Sequence, residues 1–119
     1  MVNSLQSYGF QKLTKWEIRK EKIKPATIDW DDCAGWVYAY VAEGKLRYLG
    51  ITTSVLRSRL DGYSYQVNDR VGQKILNLLQ RNVEVEIYGV KRPEVEKFGL
   101  EEEESRLIKE LDPDWNVRA

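Results

Sequence analysis

The chain has 119 residues, no histidine, a single cysteine (Cys33) and zero formal net charge, with 42% hydrophobic against 32% charged residues. That profile describes one ordinary globular domain rather than a disordered chain. It points to the cytoplasm, because no apolar run reaches membrane length and the N-terminus lacks the order of a signal peptide. It excludes histidine-based triads, Cys/His zinc centres, imidazole general bases and any internal disulfide.

Residues 4–13 read as a short helix capped by Asn3 or Ser4 and interrupted by Gly9. Residues 15–28 alternate loosely through Trp16, Ile18 and Ile23 and predict a weak two-stranded hairpin ending near Pro25, followed by a loop over 29–34. Phe10, Trp16 and Trp30 either cover the core or form a surface for a homodimer or a protein partner.

Residues 36–41 and 46–51 are rich in aromatic and β-branched side chains and flank Gly44, which predicts a β-hairpin. A three-residue loop (Ala42, Glu43, Gly44) with Gly44 left-handed pairs Val41 with Lys45 and sets Tyr38 directly opposite Tyr48. Trp36, Tyr40 and Leu46 then share the tyrosine face, while Val37, Ala39, Val41 and Leu49 line the other. A helix over 55–63 follows, capped by Thr53 or Ser54, with Gly50 allowing a tight turn into it. A second helix covers 69–80 with Val71, Ile75, Leu76 and Leu79 inward. Residues 83–90 alternate as a strand with one wet face, where Glu84, Glu86 and Tyr88 lie. Pro93 marks a turn, and a last helix spans about 100–111 before Pro113 stops it.

Charge is uneven along this order. Residues 35–93 carry nine Lys/Arg and five Asp/Glu, whereas residues 94–119 carry four and nine. A basic surface on the middle of the chain would suit a phosphate backbone. The four glutamates at 101–104 run into the last helix. At about 100° per residue, Glu104 joins Leu100, Leu107, Ile108 and Leu111 on the apolar stripe. A carboxylate facing a core needs a proton, a cationic partner or a metal.

Arg59 and Tyr63 share one face of their helix at i, i+4 spacing. Singly, each of these residues has an ordinary structural role: packing for the tyrosines, a solvated or paired side chain for Arg59, a favourable acid near a helix start for Glu104. In combination the spacing is distinctive. Trp36-Val37-Tyr38, then Tyr48-Leu49-Gly50, then Arg59-Leu60 with Tyr63, then Glu104-Ser105-Arg106-Leu107-Ile108-Lys109 with Pro113 and Asn116 resembles the GIY-YIG nuclease family. The resemblance covers residues 35–116. Its C-terminal part is similar to the nucleotide-excision-repair incision subunits, and residues 37–63 are similar to small stand-alone bacterial members.

The resemblance implies a small GIY-YIG-like α/β sandwich of order β-β-α-α-β-α with a mostly antiparallel central sheet. Residues 35–119 would form the nuclease domain and residues 1–34 an N-terminal extension. It also implies a metal-dependent endonuclease that hydrolyses DNA phosphodiester bonds and leaves a 5′-phosphate and a 3′-hydroxyl. Tyr38 would act as general base or orient the water, and Tyr48 would assist it. Arg59 would bind the scissile phosphate, and Tyr63 would occupy a position where relatives carry histidine or tyrosine. Glu104 would be the sole protein ligand of one Mg²⁺ or Mn²⁺, and Asn116 would brace the site. Three departures stand out. Trp36 replaces the first glycine of the name motif, with Gly35 one place early. Arg59 lies one residue further from Gly50 than the pattern, to be absorbed by a turn through Thr52 and Thr53. Ile51 replaces a lysine, for which Lys45 or Arg57 could substitute. Ile51, the neutral net charge and the absence of a separate DNA-reading domain favour a second reading, a catalytically weak or inactive nuclease-like module that binds nucleic acid or a protein.

Overall fold

The computed structural model describes residues 2–61 and 70–116, with side chains from Leu5 onward. Its elements are α1 (Val2–Ser7), β1 (Gln11–Arg19), β2 (Lys22–Pro25), β3 (Ala34–Ala42), β4 (Lys45–Val55), α2 (Leu56–Asp61), α3 (Arg70–Gln80), β5 (Val85–Lys91) and α4 (Lys97–Leu111). The strands form one sheet in the order β2-β1-β5-β3-β4, and every pairing is antiparallel. The expected mostly antiparallel α/β arrangement is present. The first hairpin continues the same sheet, because β1 pairs with β5.

Two apolar clusters lie on the two faces of this sheet. On one, Trp16, Trp36, Tyr38 and Tyr40 pack with Leu56 and Leu60 of α2 and Val71, Ile75 and Leu78 of α3. On the other, Val37, Ala39, Val41 and Leu49 pack with Leu5 of α1 and Leu100 and Leu107 of α4. This is the period-2 alternation of β3 made physical: each neighbouring residue feeds a different core. Phe10 and Trp16 are 2% and 1% exposed, so they belong to these cores. None of the described helices is long and apolar enough to cross a membrane.

Several local expectations need correcting. Residues 11–13 are not helical; α1 ends at Ser7, and β1 begins at Gln11. β1 then turns into β2 through Lys20 and Glu21, both at positive φ (52° and 66°), a two-residue hairpin geometry that lacks its usual Asn or Gly signal. The expected wet face of β5 is wet only at its start: Glu86 is a quarter exposed beside Lys12, but Tyr88 is 3% exposed within the aliphatic cluster. α4 starts a turn earlier than residue 100, at Lys97.

The β3–β4 hairpin differs in its register. Ala42 pairs with Lys45 around a two-residue loop, Glu43 (φ 57°) and Gly44 (φ 71°). One step on, Val41 pairs with Leu46 but Tyr40 pairs with Tyr48, so Arg47 is an extra residue, a β-bulge. The bulge is held by its own side chain: Arg47 Nε–H donates to the Ala42 carbonyl at 3.3 Å, Nη2 to Glu43 at 2.9 Å and Nη1 to Asp114 at 2.8 Å. Tyr38 therefore stands opposite Gly50, not Tyr48, and Leu46 moves to the aliphatic face. The shorter loop and the bulge each shift the pairing by one. Together they restore parity, so Tyr48 still shares the face of Tyr38.

Candidate active site at the edge of β4

Tyr38 sits in the middle of β3, 1% exposed, and its ring leans toward the outermost strand, β4. Gly50 makes that possible. A Cβ at Gly50 would lie 2.5 Å from both Cζ and Oη of Tyr38, so the phenol occupies the space a side chain would fill. Contrary to expectation, Gly50 does not serve the turn into α2; β4 continues through Thr52 to Val55 before the helix begins.

Arg59 reaches the same point from α2, and its Nε–H donates to Tyr38 Oη at 2.9 Å. Tyr48 lies beside them, its ring centroid 6.3 Å from that of Tyr38 and stacked on Tyr40 at 5.5 Å. Trp16 meets Tyr40 edge-on at 5.6 Å. The aromatic rings thus form a rigid bed in preferred offset and edge geometries, with the phenol–guanidinium pair at its β4 side.

The expected caps of α2 do not form. Thr52 Oγ1 lies 3.0 Å from Ser54 Oγ and accepts the Ser54 N–H at 3.2 Å. The helix N–H groups of Leu56 and Arg57 are bound instead by Asp32 Oδ1 at 2.8 Å and Oδ2 at 2.9 Å. Asp32 was invisible to spacing arguments because it lies in the loop before β3, remote in sequence from the helix it caps.

Asn116 holds the strand that carries Tyr48 and Gly50. Its Oδ1 accepts the Leu49 N–H at 3.0 Å, and its Nδ2–H donates to the Leu49 carbonyl at 2.9 Å. One amide side chain so imitates a neighbouring strand along an edge that would otherwise be unpaired. The Trp115 N–H adds a bond to the Arg47 carbonyl at 2.7 Å, and Arg70 Nη2 donates to the Trp115 carbonyl. The C-terminal residues thereby pass round the β4 edge, from α4 on the aliphatic face to Trp115 in the aromatic cluster.

Glu104 approaches from the other side of the sheet. Its helix, α4, packs mainly on β4 through Leu100 and Leu107 on the aliphatic face, with Glu104 between them on the inward stripe. The structure therefore brings Tyr38, Tyr48 and Arg59 together on one face, sets Asn116 at the edge and carries Glu104 on the opposite face. Tyr63 lies outside the described residues. Ile51 packs against the aliphatic cluster, and Lys45 stands at the hairpin turn, away from Gly50.

The two adjacent acids of α4 have opposite fates. Glu103 forms a two-point pair with Arg92, Nε to Oε1 at 3.0 Å and Nη2 to Oε2 at 2.9 Å. Glu104 is half-buried, and among the described residues its carboxylate makes no hydrogen bond or ion pair. Burial, followed by the nearby Glu101 charge, raises its pKa. A desolvated carboxylate without a cationic partner, beside a second acid, fits a hard divalent cation. No group of three or more His, Cys, Asp or Glu among the described residues is placed to hold a metal. A cation here would complete its sphere with water and phosphate oxygens, as Mg²⁺ commonly does.

The sheet with helices on both faces is a small nuclease-like α/β fold. A mutant of bacteriophage T4 EndoII shares it at a TM-score of 0.78, 23% identity and 98% coverage of both chains. The restriction endonuclease HPY188I, in complex with product DNA, shares it at a TM-score of 0.57 and 20% identity, covering 98% of this chain and 81% of that one. At these identities the likeness is one of fold. No protein-family model and no curated protein matches the sequence.

Proposed function

We propose that this chain is a divalent-metal-dependent DNA endonuclease of the GIY-YIG type. The observation that carries the reading is the Arg59–Tyr38 contact at 2.9 Å over Gly50, which sets a phenol oxygen and a guanidinium side by side next to the outermost strand. The fold shared with two endonucleases supports it. Charge placement supports it too. The helices on the tyrosine face carry Arg57, Arg59, Arg70 and Lys74, a surface suited to a phosphate backbone.

In this reading Arg59 holds the phosphate oxygens through its planar donors, while Tyr38 accepts a proton from, or orients, the attacking water. Tyr48 limits where the phosphate can sit, and Asn116 keeps β4 in place. Glu104 would hold one Mg²⁺ or Mn²⁺, which when bound would polarise a phosphoryl oxygen and stabilise the departing one. The water oxygen bonds to phosphorus as the P–O3′ bond breaks. The 3′ oxygen leaves with the electron pair and takes up a proton, giving a 5′-phosphate and a 3′-hydroxyl.

Plasmid nicking with Mg²⁺ or Mn²⁺ tests this, run on the wild type beside Tyr38→Phe and Glu104→Gln. Cleavage by the wild type, lowered in Tyr38→Phe by about 10²- to 10⁴-fold with folding retained, supports the enzyme. DNA binding without cleavage under every metal tried would select the alternative, a nuclease-like binding module. That alternative draws on Ile51, whose side chain packs against the aliphatic cluster and brings no charge to the phenol.

A further inference from the structure

We infer that Asp32 is the positioning residue for Arg59, locking the first turn of α2 to the approach to β3 so that guanidinium and phenol meet. The kinetic part of this inference rests on the nuclease reading; the structural part does not.

α2 has only six residues, Leu56–Asp61. A helix that short has a nucleation cost its own hydrogen bonds do not recover, so its direction must be set from outside. It follows β4 without an intervening loop, and the Thr52 and Ser54 hydroxyls before it are engaged with each other. Both Asp32 carboxylate oxygens bind its leading N–H groups, at 2.8 and 2.9 Å. Two charge-assisted bonds at the positive end of a helix fix tilt as well as position.

The residue that makes this clamp stands just ahead of Ala34, where β3 begins, and β3 carries Tyr38. Asp32 thus joins the two elements whose side chains meet at 2.9 Å. Arg59 falls within a turn of the clamped amides, so a change in helix tilt moves its guanidinium directly. An ordinary cap would stabilise the fold and leave that contact unchanged; a positioning residue controls the contact itself.

The test uses full-length Asp32→Ala and Asp32→Asn, each alone and combined with Arg59→Lys, and three readouts. Cleavage kinetics come first. Asp32→Ala should lower kcat roughly tenfold to a hundredfold, with KM little changed, and Asn, which keeps one acceptor oxygen, should recover part of the loss. In the Arg59→Lys background the same change should alter the rate by no more than about twofold. An equal fall in both backgrounds, or a fall matching the unfolded fraction in thermal melts, overturns the inference.

The third readout needs no activity. The Arg59 Nε–H resonance, assigned by its absence in Arg59→Lys, should exchange slowly in the wild type and lose that protection in Asp32→Ala. Unchanged protection overturns the inference even for an active enzyme. Lost protection in a protein that never cuts DNA leaves the positioning role standing and removes the nuclease reading instead. Should Asp32→Ala fail to fold, Asp32→Asn carries every comparison, with partial loss expected and none overturning.

Discussion

The two faces of the sheet are built from alternate residues of the same strands yet have opposite characters. One is aromatic, with three tyrosines and Trp16 in ring contact, and its helices α2 and α3 carry four basic residues against one acid in their described spans. The other is aliphatic and closed by α4, which carries five acids against three basic residues. Arg59 and the phenols of Tyr38 and Tyr48 gather on the first face, while Leu100, Leu107, Val37 and Leu49 dominate the second, with Tyr88 buried among them. Glu104 breaks the division. Its half-buried carboxylate makes no hydrogen bond or ion pair among the described residues, whereas that of Glu103 beside it is held by Arg92.

The largest effect expected is on that residue. Glu104→Gln should lower cleavage by about 10³-fold while leaving metal-free stability unchanged or higher. The pH dependence has a definite sign. Burial raises the Glu104 pKa, so the folded state holds this proton more tightly than the unfolded state does. Stability is then unpenalised below the unfolded pKa, falls as pH rises through the window between the two values, and stays reduced above the folded one. Thermal melts in chelator from about pH 4 to about pH 7 should show wild-type stability falling relative to Glu104→Gln. A parallel course for the two proteins would mean the carboxylate is solvated or paired, and the proposed metal site would be lost.

Leu107→Ala tests the other side. It truncates a 1% exposed side chain beneath α4, so it should cost about 2–5 kcal/mol in denaturant unfolding. Well below its melting temperature, kcat should stay close to wild type. A large kcat loss in a fully folded Leu107→Ala protein would show that α4 sets the active geometry finely and that the aliphatic face is more than a support.

Gly50→Ala reaches both. Its new Cβ would meet Tyr38 Cζ and Oη at 2.5 Å, and the ring is hemmed in by Tyr40 and Tyr48. The strain should cost about 1–3 kcal/mol, and the displaced phenol should lose its Arg59 partner, so activity falls alongside stability. A Gly50→Ala protein that keeps full activity would show that Tyr38 need not lie over the strand to work.

Face membership within β3 was readable from the sequence, and register was not, because the two depend on different things. Alternation in β3 assigns Tyr38 and Tyr40 to one side and Val37 and Ala39 to the other, whatever strand lies alongside. Register depends on loop length and on the Arg47 bulge, which is held by Glu43 and by Asp114, a residue far along the chain. The same divide runs through the site. Alternation places Tyr38 and Tyr48 on one face, whereas the meeting of Arg59 with Tyr38 was implied only by the family resemblance. Asp32 capping α2 and Arg92 pairing with Glu103 are contacts between separate elements, and no local periodicity announces them. The turn at Lys20 and Glu21 hid for a third reason: left-handed backbone was adopted by residues that carry no sign of it.

Asn116 offers the smallest and most specific test, because its work is done entirely on the backbone. Its amide gives and takes one hydrogen bond with Leu49, at 2.9 and 3.0 Å, so Asn116→Ala removes two partly buried bonds and should cost about 1–3 kcal/mol in all. Asn116→Asp sharpens the result. A carboxylate can still accept the Leu49 N–H but cannot donate to its carbonyl, and it would set an anion against that oxygen. If Asn116 acts by holding β4, both variants should speed hydrogen exchange at Leu49 and lower kcat together, while DNA affinity, which the proposal assigns to Arg59 and the basic helices, stays within about twofold. If Asn116→Asp instead cleaves as fast as wild type with the Leu49 amide unprotected, the edge of β4 need not be fixed for the reaction, and the catalytic group must lie wholly on the aromatic face.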